Sequence, residues 1–167
     1  MSSILKVDTI QNTGGTTGLT IDSSGRVLNP NVVAWLVNKN ATQTSSADNE
    51  VITWSTVTLN QGSGFQASGS NANKFVAPVH GIYTTAATLL TTNDTLDHDI
   101  FLMKNGAGVV RFRNGSGAGH ESNTFCWVGE LNANDTLHLA FASGSRSVYG
   151  DTSTNVYWST WCGHLIG

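Results

Sequence analysis

An apolar run, a tight turn and a second apolar run succeed one another in Lys74-Phe75-Val76-Ala77-Pro78-Val79-His80-Gly81-Ile82-Tyr83, and nothing in the stretch recurs at helical spacing. A helix that packs on one face needs apolar residues three and four apart, whereas a strand needs short runs or strict alternation. The same extended look returns at 134–141 and 159–166, and elsewhere runs rich in Val, Ile, Thr, Tyr and Trp are separated by Gly, Asn, Asp and Ser clusters. The fold class is therefore all-β, with strands expected at 32–38, 51–59, 74–79, 82–90, 99–104, 109–113, 124–131, 136–142 and 156–166. Asn105-Gly106 is a hairpin turn, because both of its central positions require positive φ and these two residues tolerate it. Asn93-Asp94 and Asn134-Asp135 read as further turns through side-chain-to-backbone hydrogen bonds.

Charged residues are only 11 % of the 167, while Thr, Ser, Asn and Gly together supply 72 of them. A surface polar through uncharged groups could belong to a disordered chain, but 39 % hydrophobic residues, with five Trp, six Phe and three Tyr, bury enough area to fold. One core is expected at this length, with room for a short appendage. The net charge of −3 and a scatter of eight Lys and Arg leave no basic stripe for phosphates, which speaks against nucleic-acid binding. No run approaches the roughly 20 apolar residues that span a bilayer, so no membrane insertion is expected. The opening Met1-Ser2-Ser3-Ile4-Leu5-Lys6 has no leader-like character, and synthesis in a cytoplasm without export by its own leader follows. In that compartment Cys126 and Cys162, which lack metal-ligand spacing, read as free buried thiols.

The first thirty residues differ from the rest. Short strands around Leu5, Val7 and Ile10 and around Leu19 and Ile21 are too brief to build a core, so they must borrow apolar partners from other chains or from a docking protein. Asn29-Pro30-Asn31 breaks the extended pattern, placing the boundary between a segment 1–30 and a domain 31–167.

From about Val32 to Ile166 the chain resembles the superfamily of the complement globular head and tumour necrosis factor. Three places carry the resemblance: Lys74-Phe75 leading to Pro78-Val79-His80-Gly81-Ile82-Tyr83, the hairpin Phe101-Leu102-Met103-Lys104-Asn105-Gly106, and the closing Thr160-Trp161-Cys162-Gly163-His164-Leu165-Ile166. It implies a ten-stranded jelly-roll sandwich that forms homotrimers. The N-terminal Ile4-Leu5-Lys6-Val7-Asp8-Thr9-Ile10-Gln11-Asn12, followed by Leu19-Thr20-Ile21-Asp22-Ser23-Ser24-Gly25-Arg26-Val27, resembles the opening of tail-fibre proteins of tailed bacteriophages. That second resemblance implies a virion protein whose residues Leu5, Val7, Ile10, Leu19 and Ile21 fix it to other tail or baseplate proteins. A long repetitive shaft, usual in such fibres, is missing here.

Candidate chemistry is sparse. Asp94, Asp97, His98 and Asp99 form an acidic cluster in a loop entering a strand; Asp94 and Asp97 with a backbone carbonyl make a calcium site conceivable, but the capping habits of Asp and Asn favour turn chemistry and solvated charge. The resemblance adds that members of the superfamily sometimes bind calcium near the trimer top; no other cofactor is expected. His80, His98, His120, His138 and His164 show no helical ligand spacing, although a threefold axis would present any one of them three times. Gly115-Ser116-Gly117 lacks the strand-to-helix setting of a nucleophile elbow, and no paired carboxylates stand out, so no enzyme activity is expected.

Tyr83, Trp127, Trp158, Trp161 and Ile166 lie in or beside apolar strands and are expected in the core or between subunits. Tyr149 stands instead in the polar run 143–155, where an aromatic flanked by Arg146 and Asp151 suits stacking on a sugar ring, with Asn114 and His120 as further contacts. The sequence thus reads as a trimeric phage adhesin located in the virion, whose head binds a host surface polysaccharide. A purely architectural virion protein, in the baseplate or decorating the capsid, and a polysaccharide depolymerase are the alternatives.

Overall fold

The computed structural model describes residues 6–29, 31–45, 47–91, 98–114, 119–142, 146–151 and 156–167. It forms two compact units, Met1–Val32 and Val33–Gly167.

The first unit is a three-stranded antiparallel meander of β1 (Thr9–Gln11), β2 (Thr17–Ile21) and β3 (Val27–Leu28). Both of its turns are built the same way. Asn12 Oδ1 accepts the Gly14 and Thr16 amides, and Asp22 Oδ1 accepts those of Ser24 and Arg26, all at 2.9 Å. The pairs Ile10↔Leu19 and Ile21↔Val27 place four apolar side chains on one face of this small sheet. Ile10, Ile21 and Val27 are exposed there.

The second unit is a jelly-roll sandwich of two antiparallel sheets. Its described strands are β4 (Ala34–Asn38), β5 (Gln43–Ser45), β6 (Thr56–Gln61), β7 (Phe65–Gln66), β8 (Lys74–Val76), β9 (Gly81–Thr91), β10 (His98–Lys104), β11 (Ala107–Asn114), β12 (Glu121–Leu131), β13 (Thr136–Phe141), β14 (Arg146–Val148) and β15 (Thr160–Leu165). One sheet runs β11-β10-β13-β8-β7; the other runs β5-β14-β9-β15-β4-β6, with β12 paired to β9 on the side away from β15. Along β9 the burial alternates without a break: Tyr83, Thr85, Ala87, Leu89 and Thr91 point into the sandwich, and the residues between them point out.

Several expected strands are shorter than the sequence pattern implied; the run 74–79, for one, is strand only as far as Val76. The run 51–59 serves both sheets in turn: the Ile52 amide bonds Leu139 O at 2.8 Å, and the Ser55 amide bonds Asn38 O at 3.0 Å before β6 begins at Thr56. A segment crossing between layers cannot keep one ladder, so only its second half is strand. At the other end, residues 156–158 stand exposed outside the sheet, and β15 starts at Thr160. The Asn105-Gly106 turn is present, with φ of 51° and 81°.

The core is an aromatic stack. Trp35 lies against Phe75 at 3.9 Å between ring centroids and meets Trp161 edge-on at 5.5 Å, while Trp54 and Phe65 flank Trp161. Trp161 Nε1 donates to Thr85 Oγ1 at 2.7 Å, and that hydroxyl donates to Cys162 O at 2.7 Å, so the buried indole has no orphan donor. Tyr83 caps the cluster and donates to Val79 O at 2.8 Å. The motif glycines follow from this packing. A Cβ on Gly163 would sit 2.3 Å from the Trp35 ring and 2.5 Å from Thr84 O, and one on Gly81 would meet Leu165 at 2.5 Å.

Gly163→Ala is accordingly expected to destabilise the domain by about 2–3 kcal/mol or prevent folding, since neither the ring nor the backbone carbonyl can retreat; urea denaturation of the purified chain measures it. A pH effect follows from His138, which is 6 % exposed in β13 and whose Nδ1 has no hydrogen-bond partner among the described residues. Burial, helped by the charge of Lys74, lowers its pKa to about 4. The unfolded chain takes up a proton near pH 6.5, and the folded one does so only near 4. Stability present above 6.5 is therefore lost as pH falls from 6.5 towards 4, by on the order of 2 kcal/mol. Chemical denaturation across that window should show the slope, and His138→Gln should flatten it.

Candidate functional site

At one end of the larger sheet, the C-terminal end of β9, the N-terminal end of β12, the residues after β14 and the residues before β15 surround a cleft of about 370 Å³. Leu90, His120, Tyr149, Asp151 and Trp158 line it. Its volume is at the lower end of small-molecule sites, roughly 300–1,000 Å³. Trp158, expected in the core or between subunits, stands 46 % exposed at its rim.

Ser159, fully buried beside Trp158, fixes the walls. Its hydroxyl accepts the Leu90 amide at 3.1 Å and donates to Tyr149 O at 2.7 Å; the Tyr149 amide in turn bonds Leu90 O at 2.7 Å. Thr42 Oγ1 holds the next residue from the other side, accepting the Gly150 amide at 3.3 Å. Backbone tied at three successive points holds the Tyr149 ring in place, and the His120 ring leans against it at 5.1 Å and 58°. Tyr149 donates its hydroxyl to Asp151 Oδ2 at 3.2 Å. Burial first, and then the Asp151 charge, raises the pKa of this phenol, so it keeps its proton. The cleft thus offers two aromatic faces, an aliphatic floor, an imidazole and one carboxylate. That inventory suits stacking and a few directed hydrogen bonds, and it holds no nucleophile activated by a base.

Of the five residues expected to contact a receptor, His120, Tyr149 and Asp151 converge in this cleft. Asn114 ends β11 and Arg146 opens β14, and only their backbone is described. The sequence pointed to Tyr149 as an aromatic in a polar run; Leu90 and Ser159 carried no such signal, because a strand residue and one serine among seventeen look like any other. Asp94 and Asp97 lie outside the described residues. Asp99 is buried and engaged: Arg111 Nη2 meets it at 2.6 Å and Arg113 Nε at 3.7 Å. Among the described residues no three His, Cys, Asp or Glu side chains cluster as metal ligands.

Tyr83 and Trp161 are core residues, and Trp127 packs against the core from β12. Ile166 is exposed beside β9, where its amide bonds Ile82 O at 2.7 Å. Of the expected attachment residues, Leu5 lies outside the described residues, Val7 is half-buried, and Ile10, Leu19 and Ile21 belong to the first unit.

The outer face of the larger sheet is the second feature. Register pairs set side by side the outward-facing Val128, Thr84, His164 and Ala34 in one row, and Cys126, Ala86, Cys162, Leu36 and Leu59 in the next. Val128 is 56 % exposed, and Ile82 and Leu59 are also open. The two thiols are free, as expected, but they are not buried in the core: Cys126 is exposed and Cys162 half-buried on this face. They flank β9 on opposite sides, about 9–10 Å apart at two strand spacings, beyond the reach of a disulfide. Among the described residues no helix is long and apolar enough to cross a membrane.

The second unit is thus a jelly roll with an aromatic cleft at one end and a nearly uncharged outer sheet. Residues 34–166 match the C1q domain family, and the chain belongs to that family. Solved structures agree on the fold. The globular domain of zebrafish complement 1qA protein superposes with a TM-score of 0.63 at 15 % identity, covering 81 % of this chain and 98 % of that one. The tumour necrosis factor Eiger from S. frugiperda gives 0.64 at 13 %, covering 81 % and 93 %. Murine APRIL gives 0.56 at 15 %, covering 81 % and 99 %. No curated protein sequence matches the chain. Domains of this class are typically non-enzymatic ligand-binding modules, often trimeric receptor-binding heads.

Proposed function

We propose that the chain is a trimeric adhesin of a tailed-phage virion, whose jelly-roll head binds a host surface polysaccharide in the cleft around Tyr149 and Trp158. The observation that carries this reading is the meeting of His120, Tyr149 and Asp151 with an exposed Trp158 in one concavity. Two aromatic rings stack on the apolar face of a sugar, and Asp151 and His120 bond its hydroxyls. The lining suits a neutral sugar better than a phosphate, because its one charged member is a carboxylate.

Trimerisation answers the outer sheet. Rows of Val, Ala, Thr, Cys and Leu would leave apolar area wet on a single copy, and burying it between three copies contributes roughly 25 cal/mol per Å². Interface cores are depleted in charge, as these rows are. Three clefts on one particle then raise the apparent affinity for a repeating glycan through effective concentration. The first unit, with Ile10, Leu19, Ile21 and Val27 on one face, attaches the head to other tail or baseplate proteins.

Two measurements test the reading. Native mass spectrometry of the purified chain at micromolar concentration is expected to give a trimer, and Ala86→Arg, in the middle of the outer face, is expected to give monomers. A monomeric wild type would remove the trimer. On a glycan array the trimer is expected to bind bacterial surface polysaccharide, with Trp158→Ala and Tyr149→Ala each weakening binding roughly tenfold or more while the melting temperature holds. Binding untouched by both variants would move the site elsewhere. No binding to any host envelope fraction, with the protein retained in purified particles, would favour the architectural reading.

A further inference from the structure

Lys39, at the end of β4, is 1 % exposed. Among the described residues its Nζ meets only neutral acceptors: Thr53 O at 2.9 Å, Gln43 Oε1 at 3.1 Å and Thr53 Oγ1 at 3.3 Å. Burial lowers its pKa to about 8, so about a tenth of the molecules hold a neutral amine at pH 7. An unprotonated, desolvated lysine is a nucleophile.

The group beside it is a carboxamide held on every side. Gln43 Oε1 accepts the Thr53 amide at 2.8 Å and the Thr53 hydroxyl at 3.0 Å, two fixed donors aimed at one carbonyl oxygen. Gln43 Nε2 donates to Val51 O at 3.0 Å and to Glu50 Oε1 at 3.2 Å. The other Glu50 oxygen accepts the Ser45 hydroxyl at 2.5 Å. With a carbonyl bond of about 1.2 Å, Nζ lies no more than roughly 4.3 Å from the amide carbon. The arrangement contains a buried amine, an acyl carbon in reach, donors for an oxyanion and a carboxylate on the leaving nitrogen.

We propose that Lys39 and Gln43 join in an intramolecular isopeptide bond, with Thr53 stabilising the oxyanion and Glu50 carrying the proton to the departing nitrogen. The Nζ lone pair adds to Cδ, and the carbonyl π electrons move onto Oε1, facing the Thr53 donors. Once both nitrogens share Cδ, the Nζ proton is relayed to Nε2 by the Glu50 carboxylate that holds Nε2; the carbonyl re-forms, the Cδ–Nε2 bond breaks, and ammonia departs. The sum is amine plus carboxamide giving a secondary amide plus ammonia, with no change of oxidation state and no co-reactant. The product suits the site better than the reactants do. Its N–H still donates to Thr53 O and its oxygen still accepts from Thr53, while a buried cation is replaced by a neutral amide.

The bond would act on the receptor cleft at one remove. Gln43 opens β5, which pairs with β14 through Gln43↔Val148, and Val148 leads directly into Tyr149. Locking Gln43 to the end of β4 holds the edge from which the cleft aromatic projects.

Intact mass of the full wild-type chain tests this. A species lighter by about 17 Da, one ammonia, is expected, accumulating faster at pH 9 than at pH 7. Trypsin should fail to cut after Lys39 in that species, and tandem spectra should confine the loss to the interval Lys39 to Gln43. Glu50 is exposed, so Glu50→Gln is expected to fold normally and to slow the reaction by about a hundredfold; Lys39→Met should abolish it. A succinimide at Asn105-Gly106 has the same mass loss, and finding the loss there would overturn the proposal. So would the unaltered sequence mass, with normal cleavage after Lys39, in folded protein held for days at pH 9.

Discussion

The contact on which the rest of the head depends is the one between Trp35 and the backbone of β15 at Gly163. An indole ring at that depth needs a strand with no side chain beneath it, and Gly163 supplies the space, with Thr84 O on the far side. Once Trp35 lies flat there, Phe75 stacks on it from the opposite sheet and Trp161 meets it edge-on, so the two layers are held at a separation set by aromatic rings. Thr85 completes the arrangement by accepting the hydrogen bond of the Trp161 Nε1–H, without which that buried donor would stand unsatisfied at a cost of about 1–3 kcal/mol. A larger residue at 163 would push β4 and β15 apart and unseat that stack.

Such a core is partly legible in a sequence and partly not. Alternation in 82–90 and 124–131 marks strands because one face of each is buried, and Asn105-Gly106 marks its turn because few other pairs take positive φ twice. Gly163 and Gly81 stand in recognisable motifs, but their reason is a neighbour distant in the chain, which no single sequence displays. The short strands β5 and β14 left no trace, since short polar segments are strand only because a partner lies alongside. Residues 51–55 looked like strand because their apolar side chains do alternate, while their backbone changes sheets halfway. The cleft shows the same division: Tyr149 stood out as an aromatic in polar surroundings, whereas Trp158 sat in an apolar run and read as a core or subunit-interface residue, and Ser159 had nothing to distinguish it.

β9 ties these parts together. Its inward residues fill the core beneath Trp161, its outward residues form the middle of the uncharged face, and Leu90 at its far end floors the cleft. A disturbance of its register by one residue would exchange the core and outer faces together. Pairing along eleven positions with β12, and along six with β15, is what fixes that register. Core, outer face and cleft are therefore not independent features that happen to coincide, and a substitution judged by its effect on one must be judged on all three.

The sparse charge of the chain has a related consequence. The close basic pair, Arg111 and Arg113, is turned onto Asp99, leaving a head whose described cleft and outer face attract little by long-range electrostatics. A surface of that kind is not steered to its target, and each contact it makes rests on stacking and a few hydrogen bonds. Single sites of this composition release quickly. In the proposed function, rebinding before the particle drifts away requires several sites held at fixed spacing, and a repeated polymer supplies the matching ligands. In the function proposed above, the nearly uncharged sheet as trimer interface and the cleft with its single carboxylate as a weak sugar site are complementary: the first provides the multiplicity that the second needs.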